Sequence, residues 1–192
     1  MKLTTLTVLP ACLATVACQS ERLLDTGDAL AARSIELQVT ATGHVGEIEY
    51  HIDPMAVPAA VRTAMDELHP GGAYTAAEKE INDGVLYFEL SRTVGGMEVE
   101  AMFRPDGRLH SEEVEVAGTA VPEAVRTTAM DARSGAMVTK WEEIRDGDHR
   151  VVEYHVKMTS GGMNWKVIVA PNGALLAIYR EIPAEIEVPV GN

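Results

Sequence analysis

The sequence predicts an α+β protein of two repeated modules, each with one helix packed on an antiparallel sheet of three to four strands. Three observations carry this prediction. Val57-Pro58-Ala59-Ala60-Val61-Arg62-Thr63 returns as Val121-Pro122-Glu123-Ala124-Val125-Arg126-Thr127, and Gly95-Gly96-Met97 returns as Gly161-Gly162-Met163 in the same internal order. Apolar residues follow helical spacing behind each proline. After each of these helical stretches the pattern changes to alternation, the mark of half-buried strands.

Residues 1–17 read as a signal peptide. Lys2 supplies a positive start, the stretch from Leu3 to Ala17 is nearly free of charge, and it falls short of the roughly 20 apolar residues a membrane span needs. Thr15-Val16-Ala17-Cys18 resembles the end of a bacterial lipoprotein signal, in which the cysteine is lipidated and becomes the new N-terminus. Cys18 is therefore the expected lipidation site, and lipid at that residue the expected membrane attachment. The alternative is an ordinary cleaved signal and a secreted protein. Residues 18–34 are mixed and polar and read as a tether, followed by modules at 35–116 and 117–192. The only cysteines are Cys12 and Cys18, so a disulfide framework and a Cys-based metal site are excluded from the folded part.

In the first module, Ile35 to Val39 and Ile48 to Ile52 alternate at period two around Gly43 and Gly46 and read as two strands joined by a turn. Val57, Ala60, Val61, Ala64, Met65 and Leu68 then form a helical stripe, with Pro58 in the first turn, where its missing N–H costs nothing. His69-Pro70-Gly71-Gly72 ends that helix. Leu86, Phe88 and Leu90 pair with Met97, Val99, Ala101 and Phe103 as a hairpin over Gly95-Gly96, leaving Tyr87, Glu89 and Ser91 on a wet face. Pro105-Asp106-Gly107 makes a turn into a further strand from Leu109 to Val116. The second module repeats this plan. Its helix carries Val121, Ala124, Val125 and Ala129, its hairpin Tyr154, Val156, Met158, Met163, Trp165 and Val167, and its last strand runs from Leu175 to Ile182.

The helix motif, Glu78-Lys79-Glu80-Ile81 before Asp83-Gly84, the Tyr87-Phe88-Glu89-Leu90 strand and the Pro-Asp-Gly turn together resemble PepSY and PepSY-like domains of bacterial envelope proteins. The likeness covers roughly Glu47 to Val116 and, more loosely, Glu115 to Glu181. The tandem layout is also similar to that of two-module β-lactamase inhibitory proteins. What the resemblance implies is a secreted or lipid-anchored, non-enzymatic module that modulates peptidases, with no catalytic residues to carry over.

The net charge of −13 repels phosphates and anionic headgroups and argues against nucleic-acid binding. No histidine pair shows a ligand spacing as tight as His-x-x-x-His, and His44, His51, His69, His110, His149 and His155 read as solvated strand residues. His51 and Glu49 share a strand face. Glu112-Glu113 and Glu142-Glu143 point to opposite faces of a strand and cannot act as carboxylate pairs. No Gly-x-Ser-x-Gly elbow is present. No metal, cofactor or catalytic residue is therefore assigned. Aromatics concentrate in the second module, and Trp141, Tyr154 and Tyr179 are the candidate partner-binding residues. The expected function is a non-enzymatic envelope module that binds a protein or peptide, a modulator or inhibitor of an extracytoplasmic peptidase or other envelope enzyme. The alternative is a sensory module for a small ligand or cation. The expected location is the cell envelope, facing the periplasm or the exterior.

Overall fold

Turn chemistry sets the topology. Gly95-Gly96 and Gly161-Gly162 take positive φ at both residues, the backbone that two-residue hairpins require, and the chain folds back beside itself at each. The structure, a computed structural model, describes residues 24–190. The expected signal peptide and Cys18 lie outside the described residues.

The strands are β1 (Ser34–Val39), β2 (Val45–His51), β3 (Tyr74–Asn82), β4 (Val85–Val94), β5 (Met97–Phe103), β6 (Leu109–Glu115), β7 (Met137–Asp146), β8 (Val151–Ser160), β9 (Met163–Val169) and β10 (Leu175–Arg180). Helix α1 is Thr26–Ala31, α2 (Ala59–Leu68) joins β2 to β3, and α3 (Glu123–Ala132) joins β6 to β7.

The expectation of two modules, each with its own sheet of three to four strands, is overturned. All ten strands form one curled antiparallel sheet in sequence order from β1 to β10. The seam is β6–β7, where Ser111 lies opposite Asp146 and Glu115 opposite Glu142 in a continuous ladder. The physical reason is the strand edge. A free β6 would present unpaired N–H and C=O groups, and β7 satisfies them.

Two cores lie side by side on the same face of this sheet. Val61 and Met65 of α2 pack on Leu90, Ala101 and Phe103, and Val125 and Ala129 of α3 pack on Val156, Val167 and Val169. The Pro-Asp-Gly and Pro-Asn-Gly turns lock each helix in place. A Cβ on Gly107 would stand 2.8 Å from the Ala60 carbonyl oxygen, and one on Gly173 would stand 2.9 Å from the Ala124 Cβ, with φ at +86° in both. Only glycine allows this approach and this backbone. The Thr128 hydroxyl adds a 2.7 Å hydrogen bond to the Gly173 carbonyl.

The end of α2 is held by Arg92, which is fully buried on β4. Its guanidinium donates to the carbonyls of His69 and Gly71 and to Asp66, the last at 2.6 Å, and lies 4.6 Å over the Tyr74 ring. These donors satisfy carbonyls at and just beyond the helix end, in the turn that follows it. Within the segment 18–34 read as a tether, residues 26–31 are helix α1. Asp25 caps it by accepting from the Gly27 and Asp28 N–H groups, and Asp28 pairs with Lys79 on β3, so this stretch is bound to the sheet.

Candidate functional site, an acidic groove

A strand shows alternate residues to opposite faces, so residues that avoid the two cores must gather on the other face. That face curls into a groove of about 590 Å³. Its first half is built from glutamates, one or two per strand: Glu47 and Glu49 on β2, Glu78 and Glu80 on β3, Glu89 on β4, Glu100 on β5 and Glu113 on β6. The register sets them against one another, with Glu49 opposite Glu80, Glu78 opposite Glu89 and Glu100 opposite Glu113. Like charges placed directly across a ladder destabilise it.

These carboxyls are also poorly solvated. Glu80 is only 2% exposed and Glu89 only 8%. Glu80 accepts a hydrogen bond from the Asn82 amide at 3.2 Å, whereas Glu89 makes no hydrogen bond or ion pair among the described residues. Burial first, then the neighbouring Glu47 carboxyl, pushes Glu49 up to about 8. Burial, and next the Glu49 charge, raises Glu78 to about 7. Glu80 reaches about 7 chiefly through burial, and Glu100 about 8 through burial and the Glu113 charge. Glu89 is raised well above the ordinary range by burial, with the charges of Glu100, Glu113 and Glu78 adding to it.

The second half of this face carries cations, of which Arg145, Lys157 and Lys166 line the groove. Lys140 on β7 pairs with Glu98 and, at 2.6 Å, with Glu142, while Lys157 on β8 lies 3.4 Å from Glu142. Burial alone would lower Lys140, but its hydrogen bonds to Glu142 and Glu98 outweigh that and hold it above the usual lysine range. Lys166 on β9 stands 5.8 Å from the centre of the Tyr179 ring on β10. Among the described residues, two donor trios have ligand atoms within 4.8 Å of one another: Glu36, Glu49 and His51, and Glu113, Glu142 and His155. In the first, His51 sits between Glu36 at 3.1 Å and Glu78 at 3.0 Å. In the second, Lys140 and Lys157 already neutralise Glu142.

The structure separates the candidate partner-binding residues. Tyr154 is 5% exposed within the second core, because its strand parity places it on the helix side of the sheet. Trp141 is half-buried against the same core, with its indole nitrogen beside Gly118. Tyr179 is half-buried on the edge strand β10, opposite Lys166, at the rim of the groove. Of the acidic pairs, Glu112 faces the helices and bonds His69 at 2.9 Å and also His149, while Glu113 lines the groove. The two carboxyls of each pair do point to opposite faces, but Glu112 and Glu142 are buried and do not lie on exposed sheet faces. His51 and Glu49 meet as their shared strand face requires. His149 and His155 do not converge, since His149 bonds Glu112 and His155 bonds Glu153.

The fold is similar to those of solved structures. A candidate periplasmic protein from Bacteroides eggerthii matches with a TM-score of 0.52 and 17% identity, over 65% of this chain and 88% of that one. A DUF2874 family protein from Bacteroides uniformis matches with a TM-score of 0.51 and 17% identity, over 64% of this chain and 88% of that one. A BLIP-like protein from Bacteroides fragilis gives a TM-score of 0.48 and 22% identity, over 67% of this chain and 89% of that one. The first two likenesses establish a shared fold. No protein-family model matches the chain, and no curated protein matches it in sequence, so the PepSY resemblance has no family match behind it.

Proposed function

We propose that this chain is a non-enzymatic binding module of the bacterial cell envelope that docks a protein or peptide partner on the concave face of its sheet. The observation that carries this reading is the groove itself, open along the sheet and lined by crowded carboxyls, of which Glu89 has no counter-ion among the described residues. Such an arrangement costs stability in the empty protein, and a docked partner recovers it. The envelope location is supported by the leader-like residues 1–17 and by the periplasmic description of a protein of similar fold, with Cys18 as the lipid anchor. Modulation of an extracytoplasmic peptidase or other envelope enzyme is the finer form of this function, and its mechanism is steric and reversible.

Ser111, half-buried on β6 between Met102 and Asp146, provides the test. Ser111→Trp fills the groove without touching either core. The purified chain, immobilised and exposed to envelope extract, should retain a protein that the Ser111→Trp chain loses while its circular dichroism is unchanged. A partner held equally by both chains rules out the groove as the dock, and retention of nothing by the wild type rules out the protein-binding reading.

A further inference from the structure

Resting on that docking reading, we infer that the occupant of the groove is a basic peptide segment of the partner, seated with a lysine ammonium or arginine guanidinium on the Glu89 carboxylate. Glu89 is the most isolated acid of the groove. It is more than nine-tenths buried, it lines the cavity, and no hydrogen bond or ion pair reaches it among the described residues. Its direct cross-strand neighbours are Glu78 and Met102, so neither side supplies a donor cation.

None of the cations that line the groove pairs with Glu89 among the described residues: Arg145 pairs with Glu143, Lys157 lies 3.4 Å from Glu142, and Lys166 stands on β9 beside the Tyr179 ring. A compact metal ion fits the cluster less well than a string of side-chain cations. The donor trios that come within 4.8 Å of one another, one on β1 and β2 and one on β6, β7 and β8, do not include Glu89. The central carboxyls are instead spread over consecutive strands, which stand about 4.8 Å apart. A peptide presenting several basic side chains meets such a row one charge at a time, and charge complementarity of this kind selects the partner as well as attracting it.

Proton linkage gives the inference a signature that diffuse attraction to an acidic surface lacks. The charges that act on Glu89 are those of Glu49 and Glu78 from β2 and β3 and of Glu100 and Glu113 from β5 and β6; Glu47 and Glu80, His110, His155, Lys157 and Lys166 line the same groove, and Lys140 and Lys157 act on Glu100. In the empty groove burial and mutual repulsion favour the protonated acids, and a bound cation favours the carboxylates. Binding near neutral pH therefore releases protons, and affinity rises as the pH is raised through 7 to 8, the range to which Glu78 and Glu100 are raised.

The experiment is calorimetric titration of the purified chain with an amidated, acetylated pentalysine peptide in two buffers of different ionisation enthalpy. The expected result is saturable binding with net proton release, weakened about tenfold or more by Glu89→Gln. Glu123→Gln, on α3 and away from the groove, makes the same charge change and should leave binding unaltered. Glu89→Gln keeps the side-chain shape and removes only a disfavoured charge, and a thermal melt confirms that it folds. Pentalysine binding that ignores Glu89→Gln, that weakens equally in Glu123→Gln, or that releases no protons overturns the inference. So does calcium chloride alone if it binds with the same dependence on Glu89 and displaces the peptide. In those cases the Ser111→Trp result stands or falls separately, which keeps failure of the basic occupant distinct from failure of the dock.

Discussion

Glu100 illustrates what the groove costs a single residue. Its carboxyl is raised to about 8 by burial and by Glu113, and Glu49 reaches about 8 through burial and Glu47. The folded chain therefore holds protons that the unfolded chain gives up. Stability from these groups is fullest below the unfolded value of about 4.5 and is lost as the pH rises through their folded values. The thermal midpoint of the protein should fall between mildly acidic and mildly alkaline pH. In a chain of this size a loss of about 1 kcal/mol lowers the midpoint by about 2–4 °C, so the trend is readable in ordinary melts. Glu100→Gln should flatten that slope and raise the midpoint on the alkaline side. Melts across this range check it, and an unchanged slope would show that the carboxyl is solvated. Part of the groove could have been read from the sequence. Glu47 and Glu49, Glu78 and Glu80, Glu98 and Glu100, and Glu113 and Glu115 repeat a Glu-x-Glu spacing that puts both acids of each pair on one strand face. What single strands do not reveal is that these faces meet, because that depends on pairing between strands. The burial of Tyr154 in the second core was hidden for the same reason, since its aromatic character is visible in sequence and the face it shares with that core is not.

At the scale of elements, the turn and helix pairs behave as units. Gly107 and Gly173 each press against the first turn of a helix at a distance that excludes a Cβ. Gly107→Ala should destabilise the protein by about 1–3 kcal/mol, combining strain at positive φ with displacement of α2. Denaturant unfolding measures this, and a loss indistinguishable from zero would mean that the turn does not hold the helix. Helices, hairpins and these turns were legible because proline, glycine and alternation mark them locally. β3 and β7 were not. The buried positions of β3 are Ala77 and Glu80, which carry no hydrophobic signal. β7 shifts register between Val138 and Lys140 and again between Ile144 and Arg145, which breaks its period. The strand that joins the two halves of the sheet is thus the one whose pattern is most disturbed.

The unbroken β6–β7 ladder decides how the whole molecule melts. Two independent modules would unfold in two steps, whereas one ten-stranded sheet shares its backbone hydrogen bonds across the seam. Scanning calorimetry of the intact chain should show one transition whose calorimetric and van't Hoff enthalpies agree. Two resolved transitions would show that the two cores act separately despite the shared sheet.

Strand order in this sheet follows chain order without exception. Every strand therefore pairs with the one made immediately before it, and the longest excursions are the two links that carry α2 and α3. Such a topology keeps loop-closure entropy low and favours rapid folding. It also allows assembly to proceed in order of emergence, each new strand adding to an edge that already exists, as the chain leaves a ribosome or a translocation pore.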